Sequence, residues 1–228
     1  MNFFDKIYVI NLKTSTERRE MMESQFKKLN VTNYEIYNAI VATNLDIEYY
    51  KQRKLFAYPN NDFCKTSCSC GGNGHDLRPY QIAVHLSHYN IWKDIIKNKY
   101  KKCLILEDDC IFTEHINDLS NVLQNVPNDW KFLYLGNSQK INNYNSSDIN
   151  NYYFKKVIKN VDECHIYAIT DDCANILIEH IFPIRAAIDG YFGHFMVSNK
   201  ILSDVYISTT MFALNGSQLN MIKSDVEI

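Results

Sequence analysis

The run Cys103-Leu104-Ile105-Leu106 is apolar at every position and ends in three consecutive acids, Glu107-Asp108-Asp109. A strand with one wet face alternates apolar and polar residues. An unbroken apolar run instead fits a strand covered on both faces by helices, as in a parallel α/β sheet. Carboxylates at the end of such a strand fall where open parallel sheets hold their ligands. Strand side chains repeat every two residues, so Glu107 and Asp109 should share one face and Asp108 the other. Two carboxylates on one face repel, and in a partly buried site one has its pKa raised unless a cation intervenes. Mn²⁺ or Mg²⁺ would resolve that conflict through hard oxygen ligands, which makes Glu107 and Asp109 candidate metal ligands. The alternative is a surface turn whose acids are merely solvated.

The flanking chain supports an α/β alternation. Lys6 to Leu12 is an apolar, β-branched run and predicts a first strand. Thr14-Ser15-Thr16-Glu17 has capping-box spacing, and Met22, Phe26 and Leu29 recur at helical intervals after it. Arg18 and Arg19 fall in the first turn of that helix, where positive charge opposes the dipole; a nearby anion would explain them, and so would solvation on a helix face. Tyr34 to Ile40 predicts a second strand. From Gln81 to Lys97 the positions Ile82, Leu86, Tyr89, Trp92 and Ile96 predict a long helix that carries Ser87 and His88 and leads into the acid-tipped strand. Beyond it, a helix is expected over Ile116 to Val126, a strand over Trp130 to Gly136, a loop from Asn142 to Asn151, and a strand over His165 to Ile169. A helix starting at Thr170-Asp171-Asp172 should follow. The aromatic segment Phe182 to Phe195 then carries Asp189 and His194; an isolated acid among aromatics either caps a helix or does chemistry.

Composition narrows the function. At 228 residues, with 46% hydrophobic and 22% charged residues, the chain suits one sizeable α/β domain. A net charge of -2 and the lack of any Lys/Arg block give no electrostatic footprint for nucleic acid. No apolar run approaches the roughly 18 residues that cross a bilayer, and no basic-then-apolar leader opens the chain. The expectation is therefore a soluble protein without a transmembrane segment, cytoplasmic or otherwise intracellular. Of its seven cysteines, Cys103, Cys110, Cys164 and Cys173 sit where a small buried residue would serve, in keeping with a reducing compartment. The other three lie in the glycine-rich stretch Cys64-Lys-Thr-Ser-Cys68-Ser-Cys70-Gly-Gly-Asn-Gly-His75, whose spacing fits no common zinc module; zinc, a disulfide and free thiols all remain open there. Abundant Asn, Ile, Lys and Tyr is the codon signature of an A/T-rich genome, such as that of a microbe or a large DNA virus.

Several of these pieces, in this order, resemble glycosyltransferase family 25, which includes lipopolysaccharide-modifying and collagen galactosyltransferases. The resemblance rests on Ile7-Tyr-Val-Ile-Asn-Leu12 with Arg18 and Arg19, Leu86-Ser87-His88-Tyr89 with Trp92, Leu104-Ile-Leu-Glu107-Asp108-Asp109, Tyr167-Ala168-Ile169, Ile188-Asp189, and Ser224-Asp225-Val226. It implies a GT-A-type fold, a single domain whose nucleotide-sugar half (approximately 1–110) and acceptor half (111–228) share one sheet. It makes Glu107-Asp108-Asp109 the counterpart of the DxD motif, with Asp109 on Mn²⁺ and Glu107 close to the nucleotide ribose. The implied donor is a UDP-sugar, UDP-galactose or UDP-glucose, transferred with inversion to a hydroxyl of a glycan or glycoprotein acceptor. Asn11, Leu12, Arg18, Ser87, His88, Glu107 and Asp108 become the expected donor-binding residues, Asp189 the expected base and His194 its reserve. One departure stands out. Where the family commonly shows Gly-Glu-x-Gly-Cys ahead of the Ser-His pair, this chain has Tyr80-Gln81-Ile82-Ala83-Val84, so a catalytically silent sugar-nucleotide or glycan-binding module is the competing reading.

Overall fold

The computed structural model describes residues 1–55, 77–136, 146–159, 161, 164–217 and 219–222. The Cys64 to His75 stretch, the Ser224-Asp225-Val226 segment and the first part of the Asn142 to Asn151 loop lie outside these.

The first strand, β1 (Lys6–Asn11), leads into helix α1 (Thr16–Lys28) and then into β2 (Tyr34–Asn38). A short helix α2 (Ile47–Gln52) precedes the long helix α3 (Pro79–Asn98), whose Pro sits in the first turn where its missing N–H is harmless. Strand β3 (Lys102–Glu107) carries the acids, and β4 (Cys110–Phe112) follows immediately. After the one-turn helix α4 (Leu119–Val122) come β5 (Phe132–Tyr134), β6 (Ser146–Ser147), β7 (Phe154–Val157) and β8 (Ile166–Thr170). Helix α5 (Asp171–His180), a short α6 (Ile188–Gly190) continued by a π-helical stretch (Tyr191–Val197), and strands β9 (Val205–Ser208) and β10 (Ala213–Asn215) complete the fold.

Among the described residues, eight strands form one sheet in the order β2-β1-β3-β8-β5-β9-β7-β6. β1 pairs in parallel with β2 and β3, and β5 with β9, whereas β8 and β7 run antiparallel to their neighbours. Only β8 and β7 oppose the common direction, so the sheet is mixed and mostly one-way. This is the mixed, mostly parallel α/β class that the sequence implied, with the strands of the first half of the chain (β2, β1, β3) lying side by side with those of the second half in one sheet.

Strand alternation splits the core in two. Tyr8, Cys103, Ile105, Tyr167 and Ile169 join the layer under α3, α5 and α6. Ile7, Val9, Leu104, Leu106 and Ala168 join the layer under α1 and α4. Cys103 to Leu106 are all fully buried, as a strand covered on both faces requires. Cys103, Cys110, Cys164 and Cys173 are buried free thiols.

Three local expectations were not met, one of them the Asn142 to Asn151 loop, in which Ser146–Ser147 forms β6 beside β7. Ser15 is the N-cap of α1 but makes no side-chain cap bond, so the predicted capping box does not form. Ile116 to Val126 is not one helix: a 3₁₀ turn (Glu114–Asp118), α4 and another 3₁₀ turn (Leu123–Asn125) share it. Its apolar residues Ile116, Leu119, Val122 and Leu123 are all buried, and tight turns satisfy that burial as well as a regular helix would.

Candidate active site

The site forms where β3 ends. Glu107 is the last residue of the strand, Asp108 and Asp109 make a tight turn, and β4 leaves from Cys110. β4 pairs with β10, and Gly216 N–H, just past β10, donates to the Asp109 carbonyl at 2.9 Å. A Cβ at Gly216 would stand 2.8 Å from that same carbonyl, so a glycine permits the close approach that pins the turn.

Asp108 faces the α1 layer. Its Oδ2 accepts from Asn11 Nδ2 at 2.8 Å, and its Oδ1 pairs with the Arg18 guanidinium at 2.7 Å. Both side chains of the ion pair are about nine-tenths buried, at 11% and 10% exposure. Arg18 also donates to Ser217 Oγ at 3.1 Å, and Asn11 Nδ2 to the Ser15 carbonyl at 3.1 Å. Burial raises the Asp108 carboxyl, and the Arg18 and Asn11 contacts act against that rise. Arg18 is thus no solvated arginine on a helix face; that description fits Arg19, which is exposed and paired with Glu23. Leu12 is half-buried, and its carbonyl accepts from Ser15 N–H in the turn that leads into α1.

Glu107 and Asp109 have different surroundings. Asp109 is buried, and its Oδ1 has no hydrogen-bond partner among the described residues. Glu107 is held well above the usual carboxylate range, first by burial and next by the Asp109 carboxylate, while His165 works against the rise. Its side chain is nevertheless 29% exposed, so this carboxylate borders an opening as well as the core. The Asp189 carboxylate, far away in sequence, acts electrostatically on both Glu107 and His88, raising each. It lies half-buried inside α6 and is not the helix cap, which is Ala187. His194 falls in the π-helical stretch, and its side chain lies outside the described part of the structure.

Ser87 and His88 divide their work. The Ser87 hydroxyl donates to the Ala83 carbonyl at 2.7 Å and accepts from Ile40 N–H at 2.9 Å, which ties α3 to the chain after β2. His88 is fully buried, with Nδ1 2.7 Å from the Tyr167 hydroxyl and Nε2 3.9 Å from Glu107 Oε1. Burial pushes its imidazole down to about 3, so the ring is neutral. Gln81, where the resemblance implied a carboxylate, caps α3: its Oε1 accepts from Arg78 N–H at 2.9 Å. An amide carbonyl makes that bond as well as a carboxylate does.

Sequence reading missed His165. It lies directly across from Glu107, whose N–H donates to the His165 carbonyl at 2.9 Å. Its ring contacts the Ala213 carbonyl through Nε2, and Nδ1 is buried without a partner among the described residues. A Cβ at Gly136 would come within 2.3 Å of that ring, so this glycine makes room for it. A polar residue opening an otherwise apolar strand was the available signal.

A cation fits this arrangement in one respect: a buried, unpartnered carboxylate oxygen stands beside a second carboxylate that it destabilises. No group of three or more His, Cys, Asp or Glu side chains among the described residues could hold a metal by itself.

The model of glycosyltransferase family 25 (LPS biosynthesis protein) matches residues 4–192, and the chain belongs to that family. Among curated proteins, procollagen galactosyltransferase 1-A of Xenopus laevis is 28% identical over 137 residues, 58% of this chain and 21% of that protein. A putative glycosyltransferase of Acanthamoeba polyphaga mimivirus is 32% identical over 134 residues, 58% of this chain and 37% of the relative. An inactive glycosyltransferase 25 family member 3 of Mus musculus is also similar, at 24% identity over 140 residues, 60% of this chain and 22% of the relative. The matched part thus spans about a fifth of the length of the first relatives. A crystal structure of a glycosyltransferase involved in glycosylating the major capsid of PBCV-1 aligns with a TM-score of 0.46 and 6% identity, covering 95% of this chain and 98% of that one. No helix among the described residues is long and apolar enough to cross a membrane.

Proposed function

We propose that this chain is an inverting, metal-dependent glycosyltransferase that moves galactose or glucose from a UDP-sugar to a hydroxyl of a glycan or protein. The observation that carries the reading is the unpartnered, buried Asp109 Oδ1 beside a Glu107 whose ionised form is disfavoured. Evolution of a purely structural turn has no reason to keep that cost. Asp109 and Glu107 would hold Mn²⁺ or Mg²⁺, which supplies charge neutralisation at a departing diphosphate. The first half of the chain, through about residue 110, takes the nucleotide, and the second half takes the acceptor.

The chain's own residues do the rest. Arg18 and Asn11 fix Asp108, and through it the turn that presents Asp109. Asp189 accepts the proton of the acceptor hydroxyl as its oxygen forms the new bond to the anomeric carbon. The bond from that carbon to the diphosphate oxygen breaks, and UDP leaves with the electron pair. The fully buried aromatic residues behind the site, Trp92, Tyr167 and Phe192, help keep water from His88.

The test is UDP release from UDP-galactose and UDP-glucose with Mn²⁺, with and without EDTA. Slow hydrolysis or transfer that EDTA abolishes supports the proposal. EDTA-insensitive turnover removes the metal from it, and saturable UDP binding without turnover supports the silent module instead.

A further inference from the structure

A chain of three buried side chains lies behind Glu107. Trp92 on α3 places its indole Nε1 3.1 Å from the Tyr167 hydroxyl on β8, and that hydroxyl is 2.7 Å from His88 Nδ1. All three side chains are fully buried, and Tyr167 and His88 are stacked with ring centroids 5.6 Å apart.

Counting protons fixes the direction of these bonds. Indole nitrogen can only donate, so the Tyr167 oxygen accepts from Trp92. Burial keeps the Tyr167 hydroxyl protonated, and the acceptor its proton meets among the described residues is His88 Nδ1. A neutral imidazole that accepts at Nδ1 carries its proton on Nε2. That Nε2 has no hydrogen-bond partner among the described residues and lies 3.9 Å from Glu107 Oε1, beyond hydrogen-bond reach but facing it. The opposite tautomer would leave the Tyr167 proton without an acceptor among the described residues, which is costly in a buried place.

We propose that Trp92 and Tyr167 are positioning residues: they hold His88 as its Nε2–H tautomer, aiming a buried donor at Glu107 and so fixing how this carboxyl group meets bound UDP. The ligand part of this inference rests on the function proposed above, and the tautomer part does not.

Two measurements separate them. Long-range ¹⁵N–¹H correlation spectra of the ¹⁵N-histidine-labelled full chain, without ligand, report which ring nitrogen of His88 is protonated. The relay expects the proton on Nε2 in the wild type and a loss of that single form in Tyr167→Phe. A wild-type His88 protonated on Nδ1 overturns it, whatever the enzyme does. UDP binding with Mn²⁺, followed by calorimetry, tests the consequence. His88→Gln, whose amide can place an N–H near the Nε2 position, should keep UDP affinity within about threefold. By contrast, His88→Asn, too short to reach it, should weaken binding about tenfold, as expected when the donor facing Glu107 is withdrawn. Equal affinities for the two variants overturn the claim that the donor aimed at Glu107 matters. If wild-type protein binds no UDP, the proposed function and the ligand named here fall together, and the spectrum still decides the relay.

Discussion

Asp108 and Asp109 are neighbours in one turn, yet the fold treats them in opposite ways. Asp108 points to the α1 layer, where an amide and a guanidinium meet both of its oxygens. Asp109 is just as buried but keeps an oxygen without a partner among the described residues, and its charge helps hold Glu107 above its ordinary range. A run of three acids therefore contains two kinds of residue. One stabilises the turn, and the others carry an electrostatic cost that a ligand can relieve.

Substituting each acid by its amide should break the comparison open. The largest effect is expected from Asp109→Asn: if it removes about 5 kcal/mol of charge stabilisation, turnover falls on the order of 10⁴-fold. UDP binding should weaken chiefly when Mn²⁺ is present, while urea unfolding shows stability unchanged or improved, because the repulsion on Glu107 is gone. Wild-type turnover in this variant would end the metal assignment.

Next comes Asp189→Asn. Loss of a general base typically costs about 10² to 10⁴ in rate, so kcat should drop by that factor while donor affinity stays nearly constant. A folded variant with near-normal kcat would remove Asp189 from the chemistry, and His194→Gln would be measured in its place.

On the structural side, Arg18→Ala and Asp108→Asn should each strand a buried partner. Breaking such a pair costs about 3 kcal/mol, which lowers Tm by about 6–12 °C in a chain of this size. Arg18→Ala with an intact Tm but a higher KM for the UDP-sugar would instead place its guanidinium on the donor.

The smallest expected effect is one of pH. Burial pushes His85 down to about 4, and its Nε2 lies 2.6 Å from the Ala186 carbonyl. Below the unfolded histidine value of about 6.5, the unfolded chain binds a proton that the folded chain refuses, so stability falls as pH drops from about 6.5 toward 4. The slope from this residue is at most about 1.4 kcal/mol per pH unit. His85→Gln should flatten the dependence of Tm on pH over that window, and an unchanged slope would show that His85 is not its source.

The main strands and helices were legible because each rests on local information. Strands β1, β2, β3, β5 and β8 and helices α1, α3 and α5 were all expected from apolar periodicity or an unbroken apolar run. Strands β4, β6, β7, β9 and β10 were not. Phe154-Lys-Lys-Val157 and the three-residue β4 and β10 are too short or too mixed to show a period, and they become strands because a neighbour supplies the hydrogen bonds.

For the site, the sequence alone set out three acids at the end of a buried strand, and the two-residue repeat of strands assigned Asp108 to a different face from its neighbours. That followed from backbone geometry, which every strand shares. The tertiary structure decided which face would be satisfied. Asn11 and Arg18 reach Asp108 across 97 and 90 residues of chain, and Tyr167 reaches His88 across 79. No local pattern encodes such pairs. They exist because sheet order places β1 and β8 on either side of β3, and only that packing determines which buried oxygen finds a partner and which is left for a ligand.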